Sequence, residues 1–189
     1  MKSILTALCL AVLTSGVSAE FDERAELEQA KTATAAFAGA LKSELVSAMQ
    51  SGGPIEAIDV CNTRAVFIGE EVSLEQGMTL SRVSLKNRNP DNAPNEWQAK
   101  VLASFKSRKA AGEAPATLAW HEVADSENGR EFRFMKALHT GAVCLACHGE
   151  TLAPPVVEKL AELYPEDKAT GYSEGDIRGA FVVTRQLDR

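Results

Sequence analysis

Residues 117–148 read TLAWHEVADSENGREFRFMKALHTGAVCLACH, and they contain a predicted hairpin followed by two closely spaced cysteines. Two runs within it, 117–124 and 131–138, predict a pair of antiparallel strands, because the Asn128-Gly129 dipeptide between them is a strong signal for a tight hairpin turn. Phe132 and Phe134 then share one face of the hairpin. The loop with two closely spaced cysteines follows the second strand directly, so the hairpin determines where that loop lies.

The elements on either side of the hairpin predict an α+β fold. Gly52-Gly53-Pro54 separates the first two helices, since proline suits the first turn of a helix. Residues 87–94 are rich in turn formers. The predicted elements are helices at 21–50, 54–74 and 155–164, a third helix with Trp97, Val101, Leu102 and Phe105 on its apolar core face, and strands at 79–85 and 177–187. Such a mixture favours a mainly antiparallel sheet flanked by helices, with a long N-terminal helix.

The N-terminal residues predict export. Lys2 precedes an apolar run, Ile4–Val12, and Val17-Ser18-Ala19 has the small residues of a cleavage site. Residues 1–19 are therefore expected to be a signal peptide and residues 20–189 a single mature domain. The apolar run is too short to span a bilayer, so no stable membrane anchor is expected. In a Gram-negative cell this predicts a periplasmic protein.

Composition argues against two classes of protein. Hydrophobic residues make up 45% and charged residues 24% of the 189 positions, which is ordinary for a globular protein and unlike an intrinsically disordered one. The formal charge is −6, and loss of Lys2 with the signal peptide makes it −7. Because the chain has no basic stripe, binding to DNA or RNA is not expected.

The segment Cys144-Leu145-Ala146-Cys147-His148 is an attachment sequence for c-type haem. Two thiols three residues apart can reach the vinyl groups on one side of a porphyrin. His148, next to the second thiol, can present an imidazole nitrogen to the iron. We therefore expect one covalently bound haem c, attached through Cys144 and Cys147, with His148 as an axial ligand.

Three other kinds of site use similar cysteines and fit this segment less well. A thioredoxin-like redox pair prefers a helix start after a strand and does not need the histidine. A zinc site would need a fourth ligand as part of a second closely spaced pair. A disulfide between Cys144 and Cys147 would close a very short, strained loop.

Cys61 has no disulfide partner if Cys144 and Cys147 become thioethers and Cys9 leaves with the signal peptide. A lone thiol in an oxidising compartment calls for an explanation. Its helical spacing with Ile58 and Ala65 places it on an apolar face, which fits either core packing or the wall of a haem pocket with the sulfur aimed at the iron. The residues alone leave both interpretations open. Other candidates for the second axial position are Met49, Met78, Met135, His121 and His139.

Haem propionates need cationic partners, and the fork of an arginine matches a carboxylate. The candidates are Arg82 and Arg88, near the turn-rich loop, and Arg178, at the start of the last strand. The alternative is that these arginines are solvated surface charges or form salt bridges to some of the 26 acidic residues.

Four segments together resemble a known family. They are Val60-Cys61-Asn62, residues 84–92 (SLKNRNPDN), the haem motif at 144–148, and residues 164–172 (YPEDKATGY) leading to 175–180 (GDIRGA). The family is that of bacterial PAS-like single-haem c-type proteins, whose domain occurs alone in exported proteins and as the sensory part of signalling proteins. The resemblance covers nearly all of the mature chain. It implies a PAS-like antiparallel sheet flanked by helices, one covalent haem, and axial ligation by His148 and Cys61.

These features favour a periplasmic cytochrome that senses redox state or a diatomic gas. A thiolate stabilises ferric iron, and ferrous iron binds it weakly, so reduction could release Cys61 and open a position for CO or NO. The signal would then pass to a separate protein partner. The alternative is a soluble electron-transfer cytochrome that exchanges electrons with a protein partner. Catalysis is less expected, because two protein ligands leave no open position on the resting iron.

Overall fold

Five helices and four strands make up residues 21–187, the part of the chain that the computed structural model describes. In chain order they are α1 (Glu23–Ser51), α2 (Gly53–Gln76), β1 (Thr79–Val83), α3 (Glu96–Ala110), β2 (Ala119–Ser126), β3 (Gly129–His139), α4 (Leu145–His148), α5 (Pro154–Leu163) and β4 (Ile177–Leu187). The predicted signal peptide, residues 1–19, lies outside the described residues. Between residues 21 and 187, no helix combines the length and the apolar character needed to cross a bilayer.

The two long helices begin and end at residues with a clear local reason. Asp22 caps α1, since its Oδ1 accepts hydrogen bonds from the backbone N–H groups of Arg24 and Ala25 at 3.0 and 3.2 Å. Pro54 lies in the first turn of α2, where a missing N–H costs no helical hydrogen bond. Gly77 ends α2 with a φ of 62°, a left-handed conformation that favours glycine. The predicted long N-terminal helix and the break after it are thus confirmed.

The four strands form one antiparallel sheet in the order β1-β4-β3-β2. This confirms the expected α+β fold. The hairpin turn differs by one residue from the prediction: Ser126 pairs with Gly129, so the two turn residues are Glu127 and Asn128. Gly129 instead begins β3, where its φ of 115° is one that L side chains rarely adopt.

Helices cover both faces of the sheet. On one face, Phe37 of α1 and Ile68 of α2 belong to the same buried cluster as Phe132 and Phe134, which confirms that these two phenylalanines share a face. On the other face, the second cluster contains Val101, Leu102 and Phe105 of α3 with Met135, Ala137, Ala180 and Val182 of the sheet. Trp97, predicted to be core, is only partly buried at the margin of this cluster and stacks on Trp120 at 5.8 Å.

A β-bulge changes the direction of one side chain in β4. Leu138 pairs with Gly179 and His139 pairs with Ile177, which leaves Arg178 as the extra residue. Ile177 and Ala180 both pack on the α3 side although they are three positions apart. The bulge therefore turns Arg178 towards the face that α2 covers, in keeping with the tendency of bulges to redirect side chains near functional sites.

Replacing Gly179 with alanine is expected to lower the free energy of unfolding by about 1–3 kcal/mol, the usual cost of overpacking. A Cβ at this position would overlap the carbonyl oxygen of Val83 on β1, so the two strands would have to move apart. Urea unfolding measures the change. The matched control is Gly39→Ala on α1, where a Cβ meets open space and alanine should stabilise the helix by about 0.5–1 kcal/mol. Equal stability of Gly179→Ala and the wild type would contradict the close approach of β1 to β4.

Candidate functional site

The segment Cys144–His148 forms a single helical turn that contacts α2. Cys144 ends a 3-10 turn, Ala142–Cys144, and Cys147 and His148 lie in α4. Residues three apart in a helical turn lie on one side of it, so the two thiols are neighbours. Cys61, Cys144 and Cys147 are all free thiols. Cys147 also packs against a cluster that contains Ile58 of α2 and Val156 and Leu160 of α5.

The position of the His148 ring is fixed by one short hydrogen bond. Nδ1 of His148 lies 2.6 Å from the carbonyl oxygen of Ala169. A carbonyl can only accept, so Nδ1 must carry the proton and donate it. The lone pair is then on Nε2, which is the form of histidine that binds a metal. Tyr172 packs edge-on against the imidazole, with 6.4 Å between the ring centroids.

The surroundings of His148 keep its imidazole neutral. Burial lowers the pKa of His148 to about 3, and the positive charges of Arg178, Arg88 and Arg82 act in the same direction. Burial also raises the pKa of the Cys147 thiol, which is therefore protonated at neutral pH. The turn thus presents a neutral nitrogen donor beside a neutral thiol.

Two loops close around the Cys144–His148 turn. The loop between α5 and β4 pairs with it, since the N–H of Tyr172 donates to the carbonyl of His148 at 3.0 Å. The loop after β1 meets the α5–β4 loop, where the N–H of Lys168 donates to the carbonyl of Asn87 at 3.1 Å. These loops are the segments 84–92 and 164–172 of the sequence analysis. Their motifs were visible in the sequence, but the contact between them was not.

Arg82 and Arg178 lie together without a carboxylate partner. Both are half-buried, and neither forms an ion pair within residues 21–187. The Nε of Arg178 is buried and has no hydrogen-bond partner among those residues. Burial lowers the pKa of Arg82, and the charge of Arg178 lowers it further. Two like charges in this position favour the binding of an anionic group.

Arg88, the third candidate arginine, already has partners within the protein. Its Nη2 lies 3.0 Å from Oδ2 of Asp167, and the same nitrogen donates to the carbonyl of Cys147 at 2.6 Å. The guanidinium also lies 5.8 Å from the centroid of the Tyr164 ring. Arg88 therefore differs from Arg82 and Arg178, because its charge is balanced by a carboxylate.

Cys61 is exposed on α2, so the interpretation of this thiol as core packing is wrong. The reason is its place between two clusters. Ile58, one turn earlier, packs against α5, whereas Ile68, two turns later, packs against the sheet. Cys61 lies close to Arg82, Tyr164 and Cys147. It therefore faces the same region as the Cys144–His148 turn.

The other candidates for a second axial ligand lie in different surroundings. Met78 and Met135 are buried in the two clusters on the faces of the sheet. Nε2 of His121 lies 3.3 Å from a carboxylate oxygen of Glu23. His139 is exposed at the end of β3, and Met49 is half-buried near the end of α1.

Comparison with known proteins supports one family. No curated protein matches the chain. The crystal structure of the cyanobacterial heme-protein Tll0287 shares its fold, with a TM-score of 0.61 and 22% identity over 88% of this chain and 96% of that one. The family model described as Tll0287-like matches residues 16–185, which is most of the chain. The protein therefore belongs to the Tll0287-like family.

Proposed function

We propose that this protein is an exported, periplasmic c-type cytochrome with one haem attached to Cys144 and Cys147. The observation behind the proposal is the helical turn that holds both thiols beside His148, whose Nδ1 is occupied by Ala169 and whose Nε2 is left for iron. The description of Tll0287 as a heme-protein supports the haem-binding part of the proposal. Haem c would supply a one-electron iron couple.

The residues of the site fit such a group in charge as well as in donor atoms. Haem has two propionate carboxylates, which require cationic partners when they are partly buried. Of the three candidate arginines, Arg82 and Arg178 form no ion pair among residues 21–187, and the Nε of Arg178 is an orphaned donor. We assign these two to the propionates. Arg88 was a third candidate, but its pairing with Asp167 supports a structural role instead.

We assign the second axial position to Cys61. Its thiol is exposed on the side of α2 that faces the Cys144–His148 turn, and Arg82 lies nearby. A thiolate ligand favours ferric iron over ferrous iron. Cys61 lies on α2 and His148 on α4, so loss or gain of the Cys61 ligand would couple the redox state to the position of α2. This arrangement favours sensing, with CO or NO as ligands of the reduced protein and a separate protein as the recipient of the signal.

The test is to produce the full chain in a Gram-negative host with haem-attachment machinery. The mass of the denatured protein should include one haem. Absorption spectra of the oxidised, reduced and CO-treated reduced protein should show thiolate ligation and then CO binding. A colourless protein of apo mass overturns the proposal. Electron transfer would be favoured over sensing if the reduced protein does not bind CO but exchanges electrons rapidly, and in a salt-dependent way, with a basic partner.

The Arg178→Gln variant is expected to have a lower reduction potential than the wild type. Removing a positive charge near the iron stabilises the more positive ferric state. The expected shift is on the order of 60 mV, which for one electron corresponds to a charge–charge interaction of about 1.4 kcal/mol. Spectroelectrochemical titration measures the shift.

The matched control is Arg185→Gln on the same strand. Seven residues of extended chain separate Arg185 from Arg178 by about 23 Å, well beyond the screening length of about 8 Å in physiological salt. The potential of this control should equal that of the wild type. Equal shifts in both variants would contradict the assignment of Arg178 to the propionates.

A further inference from the structure

A part-buried ion pair, Arg88–Asp167, joins the two loops that close around the Cys144–His148 turn. Nε and Nη2 of Arg88 lie 3.1 and 3.0 Å from Oδ2 of Asp167. The two side chains are only 13% and 11% exposed. By comparison, the side chains of the Arg108–Glu113 pair are 36% and 37% exposed. We call this pair the Arg88–Asp167 clamp.

The clamp contacts the backbone of Cys147, which precedes His148, and of Ala169, whose carbonyl lies next to the imidazole. Nη2 of Arg88 donates to the carbonyl of Cys147, the residue before His148, at 2.6 Å. Oδ1 of Asp167 accepts from the N–H of Ala169 at 2.8 Å. Nη2 of Arg88 also lies 3.5 Å from the carbonyl oxygen of Ala169, the acceptor for His148. One ion pair thus connects the peptide that precedes the imidazole with the residue that orients it.

We propose that the Arg88–Asp167 clamp is a positioning device that sets the reduction potential through the His148–Ala169 hydrogen bond. The inference rests on the proposed function, in which Nε2 of His148 binds iron. A firm acceptor for Nδ1–H makes Nε2 a stronger donor, and groups behind a ligand commonly tune metal sites in this way. A stronger donor favours ferric iron and lowers the potential.

The clamp adds orientation to loops that the backbone already joins. Lys168 and Asn87 are linked by their own hydrogen bond at 3.1 Å, so the loops meet without the ion pair. Burying two charges is costly, and it is offset only when the geometry satisfies most of their hydrogen bonds. In the clamp, the bonds of both charged groups converge on Cys147 and Ala169.

The decisive variants keep both charges and change only the geometry. Asp167→Glu lengthens the carboxylate arm, and Arg88→Lys replaces the fork with a single ammonium. Both should raise the reduction potential. Replacing a group behind a metal ligand typically changes metal affinity or activity at least tenfold. We therefore expect the ferric–ferrous equilibrium to shift about tenfold, or about 59 mV for one electron. The double variant should shift it by less than the sum of the two, because both act through one device.

Glu26→Gln is the matched control, because it breaks another part-buried pair, Arg185–Glu26, whose side chains are 26% and 16% exposed. It should lower the melting temperature without changing the potential. If both clamp variants bind haem with the wild-type potential, the clamp is only structural and the inference fails. The inference also fails if neither variant accumulates with haem while Glu26→Gln does. Wild-type protein of apo mass would instead overturn the proposed function, and the clamp with it.

Discussion

The Cys61→Ser variant should keep its covalent haem, but its reduction potential should rise and its ferric spectrum should lose the features of thiolate ligation. Serine is a much weaker ligand for ferric iron, so the oxidised state loses more stabilisation than the reduced state. Axial ligands set haem potentials over a range of about 0.8 V, and the expected rise is on the order of 100 mV or more. Redox titration and absorption spectroscopy of the oxidised protein measure both effects.

A neighbouring position on α2 provides the control for this prediction. Thr63 is exposed two residues after Cys61, and its hydroxyl donates to the carbonyl of Asp59 within the same helix. Thr63→Ser should leave the spectrum and the potential unchanged. If Cys61→Ser also has the wild-type spectrum, Cys61 is not a ligand, and the sensing proposal loses its switch.

Replacing both Cys144 and Cys147 with serine should abolish covalent attachment. The thioether bonds need both sulfur atoms, whereas His148 and the arginines around it remain available for reversible binding. After denaturation, the double variant should run at apo mass and without peroxidase staining in a gel, whereas wild-type protein should retain its haem.

Cys61→Ser is the matched control here, since it also removes one thiol from the same region but leaves Cys144 and Cys147 in place. It should retain haem through denaturation. Retention of haem by the double variant would mean that attachment uses another residue, and loss of haem from Cys61→Ser would mean that Cys61 is an attachment site rather than a ligand.

Most of the fold could be predicted because its signals are local. The last strand was predicted at 177–187 and is found at Ile177–Leu187. The breaks around Gly52-Gly53-Pro54 and the apolar alternation of the hairpin depend only on residues close in sequence. The predicted position of the hairpin turn differs from the observed one by only a single residue. Gly129 has its positive φ as the first residue of β3 rather than inside the turn.

The parts of the site that could not be predicted depend on distant residues. The periodicity of α2 places Cys61 on an apolar face, but it cannot show that the helix passes from one cluster to another at this point. The direction of Arg178 depends on the register of β4 against β3. Arg88 and Asp167 are 79 residues apart, and nothing local to either predicts their pairing.

The position of β4 in the sheet affects when the sheet can form during synthesis of the chain. This strand is the last of the four described strands in sequence but lies in the interior of the sheet, between β1 and β3. A chain that emerges from its N-terminus onwards therefore has its two sheet edges before the piece that joins them. Removal of β4, Ile177–Leu187, would split the sheet rather than shorten its end. A truncation within β4 is accordingly poorly tolerated. The Cys144–His148 turn precedes β4 in the chain, so it is synthesised before the sheet can close.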